Sequence, residues 1–186
     1  DRSALSYITR AITIYEKKKR QGETMSGELG AAFFNLAQIR RCRQEYPKAI
    51  KTLRLARRHG YDFDFDLMNQ TLTELSKKKK HLETLRRRSD ANIGKRERAM
   101  LLGEMADLCG ELGDADEEAI VCIDIAKIVE DEGDSGDQGK GLGDRKKRLR
   151  IAGLYGRIGE ALTRAHRGKS AILWHDKEIQ IYRNLG

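Results

Sequence analysis

Small and large apolar residues recur at a helical spacing in four separate stretches of this chain, and that recurrence restricts its fold more than any other feature. The clearest stretch runs from about Gly30 to Gly60. Phe33, Leu36 and Ala37 are followed by Tyr46, Pro47, Lys48 and Ala49, then by Leu53 and Ala56. Steps of three and four place such residues on one helix face. Small residues at Ala37 and Ala49 are predicted to let two antiparallel helices approach closely. Leu36 and Leu53 then fill the seam, and Ala56 admits the next helix. A single pair leaves an apolar face bare, so units of this kind stack into arrays.

A second unit reads from about Ala99 to Glu130, with Leu102, Met105, Ala106, Cys109 and Leu112 in its first helix. Gly113-Asp114 marks the turn, which carries one extra residue, and Ala119, Ile123 and Ala126 repeat the small, large, small pattern. A third unit occupies 145–186. Tyr155, Ile158, Gly159 and Leu162 open it, and Ala171, Ile172, Ile179 and Ile181 follow, with His175 and Glu178 where a large and a small residue are usual. The N-terminal segment, 1–22, supplies half a unit through Ala4, Ile8 and Ala11, then Ile12, Ile14 and Tyr15. It reads as the second helix of a repeat whose first is missing. Together with the start at Asp1, this leads us to expect a fragment of a longer array.

Two segments break the pattern. Over 66–88 a stripe of Leu67, Met68, Leu72, Leu75, Leu82 and Leu85 is interrupted by Lys77, Lys78, Lys79 and Lys80, which predicts one long irregular helix. The Ser-Asp-Ala-Asn of 89–92 is expected to end that helix and cap the next. Residues 131–144 hold five glycines and no apolar side chain but Leu142, and are expected to form a flexible Gly/Asp loop. The units therefore fall at 25–60, 96–130 and 145–186, in a single solenoid fragment.

Composition agrees with an all-α class. Pro47 is the one proline, 35% of the residues are charged and only 6% are aromatic, so strand formers are scarce. The net charge of +8 permits contact with nucleic acid, an anionic membrane or an acidic protein segment, without choosing among them. Cys42, Cys109 and Cys122 are widely spaced within apolar helical patterns. A disulfide frame or zinc knuckle is not expected, and a reducing compartment is. No apolar run approaches the roughly 18 residues of a membrane span, and no membrane partner is expected.

Motifs for chemistry fail on spacing. Around Gly139-Lys140 a phosphate-binding loop would need a glycine where Asp134 stands and a hydroxyl residue where Gly141 stands. Asp131, Glu132, Asp134 and Asp137 lack the alternation and the terminal glutamate of a calcium loop. His59, His81, His166 and His175 have no mutual spacing of three or four. No cofactor, metal or catalytic residue is expected, and the chain is expected not to be an enzyme. The basic runs at Arg40, Arg41 and Arg43, Lys77 to Lys80, Arg86 to Arg88 and Arg145 to Arg148 could contact phosphates. They lack interleaved aromatics for base stacking, so solvated helix faces explain them better than direct nucleic-acid binding.

The 30–60 pattern resembles the tetratricopeptide consensus, and the other units are similar to it. That resemblance implies a right-handed solenoid whose first helices line a concave, partner-binding groove. The groove positions here are Phe34, Gln38, Arg41, Asp107, Glu111, Arg157, Glu160 and Arg164. The lysine and asparagine clamp that holds C-terminal carboxylates in heat-shock co-chaperones is not evident, which favours a larger folded partner. The ending from Ala171 through His175, Lys177 and Ile179 to Leu185-Gly186 resembles the long-repeat subclass shared by polarity scaffolds and tonsoku-like proteins. The order of units resembles the tonsoku-like family in particular. This implies a nuclear scaffold for repair of stalled replication forks, joined to histones, histone chaperones and a large helical partner. A cytoplasmic cytoskeletal or ciliary docking protein, with basic runs facing acidic tubulin tails, is the alternative from the same fold. A nucleic-acid-binding helical module is another.

Overall fold

A computed structural model describes residues 2–131 and 142–185 and folds them, among these residues, into eight α-helices with no strand. They are α1 (Arg2–Arg20), α2 (Ser26–Cys42), α3 (Tyr46–Arg58), α4 (Phe65–Ser89), α5 (Lys95–Leu112), α6 (Ala115–Asp131), α7 (Leu142–Arg164) and α8 (Gly168–Arg183). The chain divides into two compact units, Asp1–Lys78 and Lys79–Gly186, with the boundary inside the lysine run of α4. The all-α class read from the sequence is what the chain adopts, and the interrupted stripe does form one long helix, of 25 residues.

In the N-terminal unit α2 packs on both α1 and α3. Ala37, Ala49, Leu36 and Leu53 are all buried in this unit. Burying a leucine in this way contributes about 2 kcal/mol. The pair is antiparallel: the Arg40 guanidinium, late in α2, reaches the Lys48 carbonyl and the Thr52 hydroxyl early in α3. At the opposite end, Gly30 meets the backbone of His59 and Tyr61. Ala56, expected to admit the following helix, instead joins Ile12, Leu29, Ala32, Phe33 and Leu36 in the core of α1, α2 and α3. Helix α1 buries Ile12 and half-buries Leu5, Ile8 and Tyr15 there, whereas Ile14 faces outward.

In the C-terminal unit α5, α6, α7 and α8 pack each on the next. One apolar core joins Leu102, Met105, Cys109, Cys122, Ile125, Val129, Ile158 and Leu162, and it takes Leu82 and Leu85 from the end of α4. The α7–α8 seam is tight. His175 lies where a Cβ on Gly159 would come within 2.5 Å of its ring, and Glu178 where one on Gly156 would come within 2.7 Å. The two residues that depart from the usual repeat pattern are accommodated by two glycines on the facing helix.

The turns inside the three pairs share one device. In each, a residue in the left-handed region follows the first helix, and the residue after it donates its N–H five positions back. Gln44 (φ 55°), Gly113 (φ 73°) and His166 (φ 59°) hold that place. The bonds are Glu45 N to Arg40 O, Asp114 N to Cys109 O and Arg167 N to Leu162 O, at 2.9, 2.9 and 2.8 Å. Each of these residues stands seven places after the small residue of its repeat, Ala37, Ala106 or Gly159. The extra residue of the second unit therefore lies after the turn.

Two boundaries differ from expectation. Ser89 does end α4, its hydroxyl donating to the Arg86 carbonyl at 2.8 Å, but α5 starts from Gly94 with no side-chain cap, so Asn92 caps nothing. The acids that do cap helices are Asp64, whose carboxylate accepts from the Leu67 N–H at the start of α4, and Asp114, whose carboxylate accepts from the Glu117 N–H at the start of α6. Of the predicted 131–144 loop, Asp131 closes α6 and Leu142–Asp144 open α7; residues 132–141 lie outside the described residues.

Candidate partner-binding face

The five predicted groove residues of the C-terminal unit lie on α5 and α7. Asp107 and Glu111 share a face of α5 with Arg96, Met100 and Gly103, spaced by three and four; Arg157, Glu160 and Arg164 share a face of α7 with Arg150 and Gly153. Arg157 joins the two helices. Its Nη1 donates to Asp107 at 2.8 Å, and its Nε donates to Glu118 of α6 at 2.9 Å. The other oxygen of Glu118 accepts from Arg164 at 2.8 Å. Burial works against the charge on Arg157, but the hydrogen bonds to Glu118 and Asp107 outweigh it and raise its pKa above that of an ordinary arginine.

Glu118 is only 3% exposed and is the residue that sequence reasoning missed. Its signal was an acid in phase with the buried stripe Cys122, Ile125 and Val129 of its own helix. The carboxylate has room because the facing residue of α5 is Gly110, where a Cβ would come within 3.1 Å of it. Arg157 and Arg164 are thus occupied in holding α7 to α6. Asp107, Glu111 and Glu160 are exposed.

Above this network, toward the first turns of the helices, the face is open. A Cβ added at Gly103 or at Gly153 would meet nothing within 4 Å. Arg96, Ala99, Met100 and Arg150 line a depression of about 440 Å³ there, and Met100 is 70% exposed.

In the N-terminal unit Phe34, Gln38 and Arg41 share one side of α2. The ring of Phe34 is engaged within the unit, 4.9 Å from Tyr61 and 5.2 Å from Phe63. Gln38 is half-buried and Arg41 exposed. Tyr61 and Phe63 are therefore brought over α2, while Phe65 lies 6.0 Å from Phe63 and Arg57 stacks 4.9 Å from its ring. These three positions belong to one compact unit and the five of α5 and α7 to the other.

The remaining reactive side chains have structural surroundings. Burial pushes the Cys109 thiol up to about 12 and the Cys122 thiol to about 11, the direction opposite to activation. Cys42 is exposed. His59 stacks on Phe33, and burial, then the nearby Lys19, lowers its pKa. His81 contacts Glu104 at 2.6 Å and His175 contacts Glu178 at 3.3 Å. Among the described residues no three His, Cys, Asp or Glu side chains gather as a metal site, and no helix is long and apolar enough to cross a membrane.

Compared with family models, curated proteins and solved structures, the chain matches none.

Proposed function

We propose that this chain is a non-catalytic scaffold of tetratricopeptide type that binds a protein partner on the face of α5 and α7. The observation that carries the reading is the placing of these two first helices side by side. Asp107 and Arg157 bridge them at 2.8 Å, while their outer face keeps two glycines under open space. Helix pairs with small-residue seams, joined by one repeated turn, supply the rigid support such a face needs. In its finer form the reading is a tonsoku-like nuclear scaffold in replication-fork repair, with histones, histone chaperones or a large helical protein as partners. It rests on the sequence resemblance of the repeats and of the Ala171 to Leu185 ending.

The test is affinity capture from nuclear extract with the intact chain and a Gly103→Phe variant, followed by cross-linking. Phe34 is a poor choice for this purpose, since its ring supports the unit. Recovery of histones or replication-fork proteins, cross-linked to α5 and α7 and lost with Gly103→Phe, is the expected result. Cytoskeletal proteins instead would favour the docking alternative, and nucleic acid retained equally by both forms would overturn the face.

A further inference from the structure

Helix α8 meets α7 with one side only. Trp174 lies 5.2 Å from Tyr155, and His175 and Glu178 lie over Gly159 and Gly156. Each residue of a helix is turned by about 100° from the last, so Lys169, Ile172, Leu173 and Asp176 share a different side, the one turned outward. All four are exposed, Ile172 by 61% and Leu173 by 65%. Among the described residues, the side chains of Lys169 and Asp176 have no hydrogen-bond or ion-pair partner. The side is thus an apolar pair with a free cation before it and a free anion after it. Along the helix each charge stands about 5 Å from the midpoint between Ile172 and Leu173.

We infer that two copies of this chain pair through this side of α8, antiparallel about a twofold axis passing between Ile172 and Leu173. The axis sets Ile172 against Leu173 of the second copy and Lys169 against its Asp176, and each pairing occurs twice because the contact is isologous. The inference does not depend on the proposed partner-binding face. Three observations select a second copy as the occupant. Two adjacent aliphatic side chains on an exposed helix leave water only when another apolar surface covers them. Charges of opposite sign at equal distances from one midpoint match themselves after a half-turn, whereas a uniformly anionic partner is repelled at Asp176 and a uniformly cationic one at Lys169. Lys169 also lies in the first turn of α8, which holds no acid. The helix dipole disfavours a cation there, and an aspartate of the second copy offsets that cost. An axis between Ile179 and Gln180 would likewise oppose Asp176 and Arg183, but over one isoleucine and an amide, so the first register buries more apolar surface.

The test is sedimentation equilibrium of the intact chain from micromolar to hundreds of micromolar, with reductant present because Cys42 is exposed. A contact confined to one helix face per copy is at the small end of protein interfaces, so a dimer that dissociates in the micromolar range is expected. Lys169→Asp and Asp176→Lys each act twice across the axis, replacing two attractions by two repulsions, and each should weaken the dimer by about tenfold or more. Circular dichroism checks that both variants keep their helicity. An equimolar mixture of the two restores both ionic pairings and should dimerise again, as a heterodimer. Arg183→Glu should leave the dissociation constant within about twofold of the wild type. A chain that is monomeric at every concentration would overturn the inference, and so would a dimer that both single variants form as tightly as the wild type. A mixture that stays monomeric, or a dimer weakened by Arg183→Glu and untouched by Lys169→Asp, would overturn the pairing stated here.

Discussion

At Glu118 a nearly buried carboxylate accepts from two guanidinium groups, and each contact runs between different helices. Glu118→Ala leaves Arg157 and Arg164 without their shared partner and opens space beside Gly110. Breaking a fully buried pair costs about 3–5 kcal/mol. Both arginines keep access to water, at 34% and 49% exposure, so a loss of about 2 kcal/mol is expected. A denaturant midpoint with unchanged slope would read it. Asp107→Ala removes only an exposed partner of Arg157 and should cost less than about 1 kcal/mol. The periodic apolar positions Leu36, Leu53, Leu102 and Ile158 were legible because spacing alone decides which way a helical residue faces. The role of Glu118 was not, since an acid on a buried stripe is satisfied only by arginines 39 and 46 residues away. Pairing at that distance is a property of the packed helices.

At the scale of the helix, the glycines separate by what lies opposite them. Alanine in place of glycine favours an exposed helix interior by about 1 kcal/mol. Gly103→Ala and Gly153→Ala meet open space and should show that gain as a raised melting temperature. Gly30→Ala should instead lose about 2 kcal/mol or more, since the new Cβ would press on the Tyr61 Cβ at 2.9 Å and on the backbone of His59, which cannot swing aside. Equal effects at Gly30 and Gly103 would show that the close approach of α2 to the turn after α3 is not present in solution. A second contrast follows from the turns. Gln44 and His166 hold a left-handed conformation that costs a residue with a Cβ about 1 kcal/mol, so Gln44→Gly and His166→Gly should each stabilise by up to that amount in thermal denaturation. The second turn could be read from the sequence because Gly113 announces it. The matching turns at Gln44 and His166 could not, as neither residue type signals a positive φ. The five-back hydrogen bond that unites the three is a backbone property.

Over the whole chain the charge is divided unevenly. Residues 1–78 hold sixteen lysines and arginines against nine acids, whereas 79–186 hold twenty-one against twenty. The sequence total of +8 hid this, since it averages a strongly basic unit with a nearly balanced one. The balanced unit also carries the groups that should govern its alkaline stability. Cys109 and Cys122 have pKa values of about 12 and 11 in the fold, raised by burial from an ordinary value near 9. Tyr155 is raised to about 12, by burial and then by donating its hydroxyl to Glu130. Such groups hold protons in the folded chain that the unfolded chain releases, so their contribution is full below about pH 9 and is lost as pH rises toward the folded values. Each proton steepens the fall by at most about 1.4 kcal/mol per pH unit. Unfolding free energy should therefore drop between pH 9 and 11, and a Cys109→Ala, Cys122→Ala variant should drop by less over the same interval. The comparison between the two proteins isolates the thiols from Tyr155, which is common to both. At pH 8 the same burial should leave Cys42 as the one thiol that a maleimide labels quickly, with Cys109 and Cys122 reacting only on unfolding. Rapid labelling of all three, together with identical alkaline slopes for the two proteins, would mean that the core joining α5 to α6 is open to solvent, and the rigid support for the proposed partner-binding face would go with it.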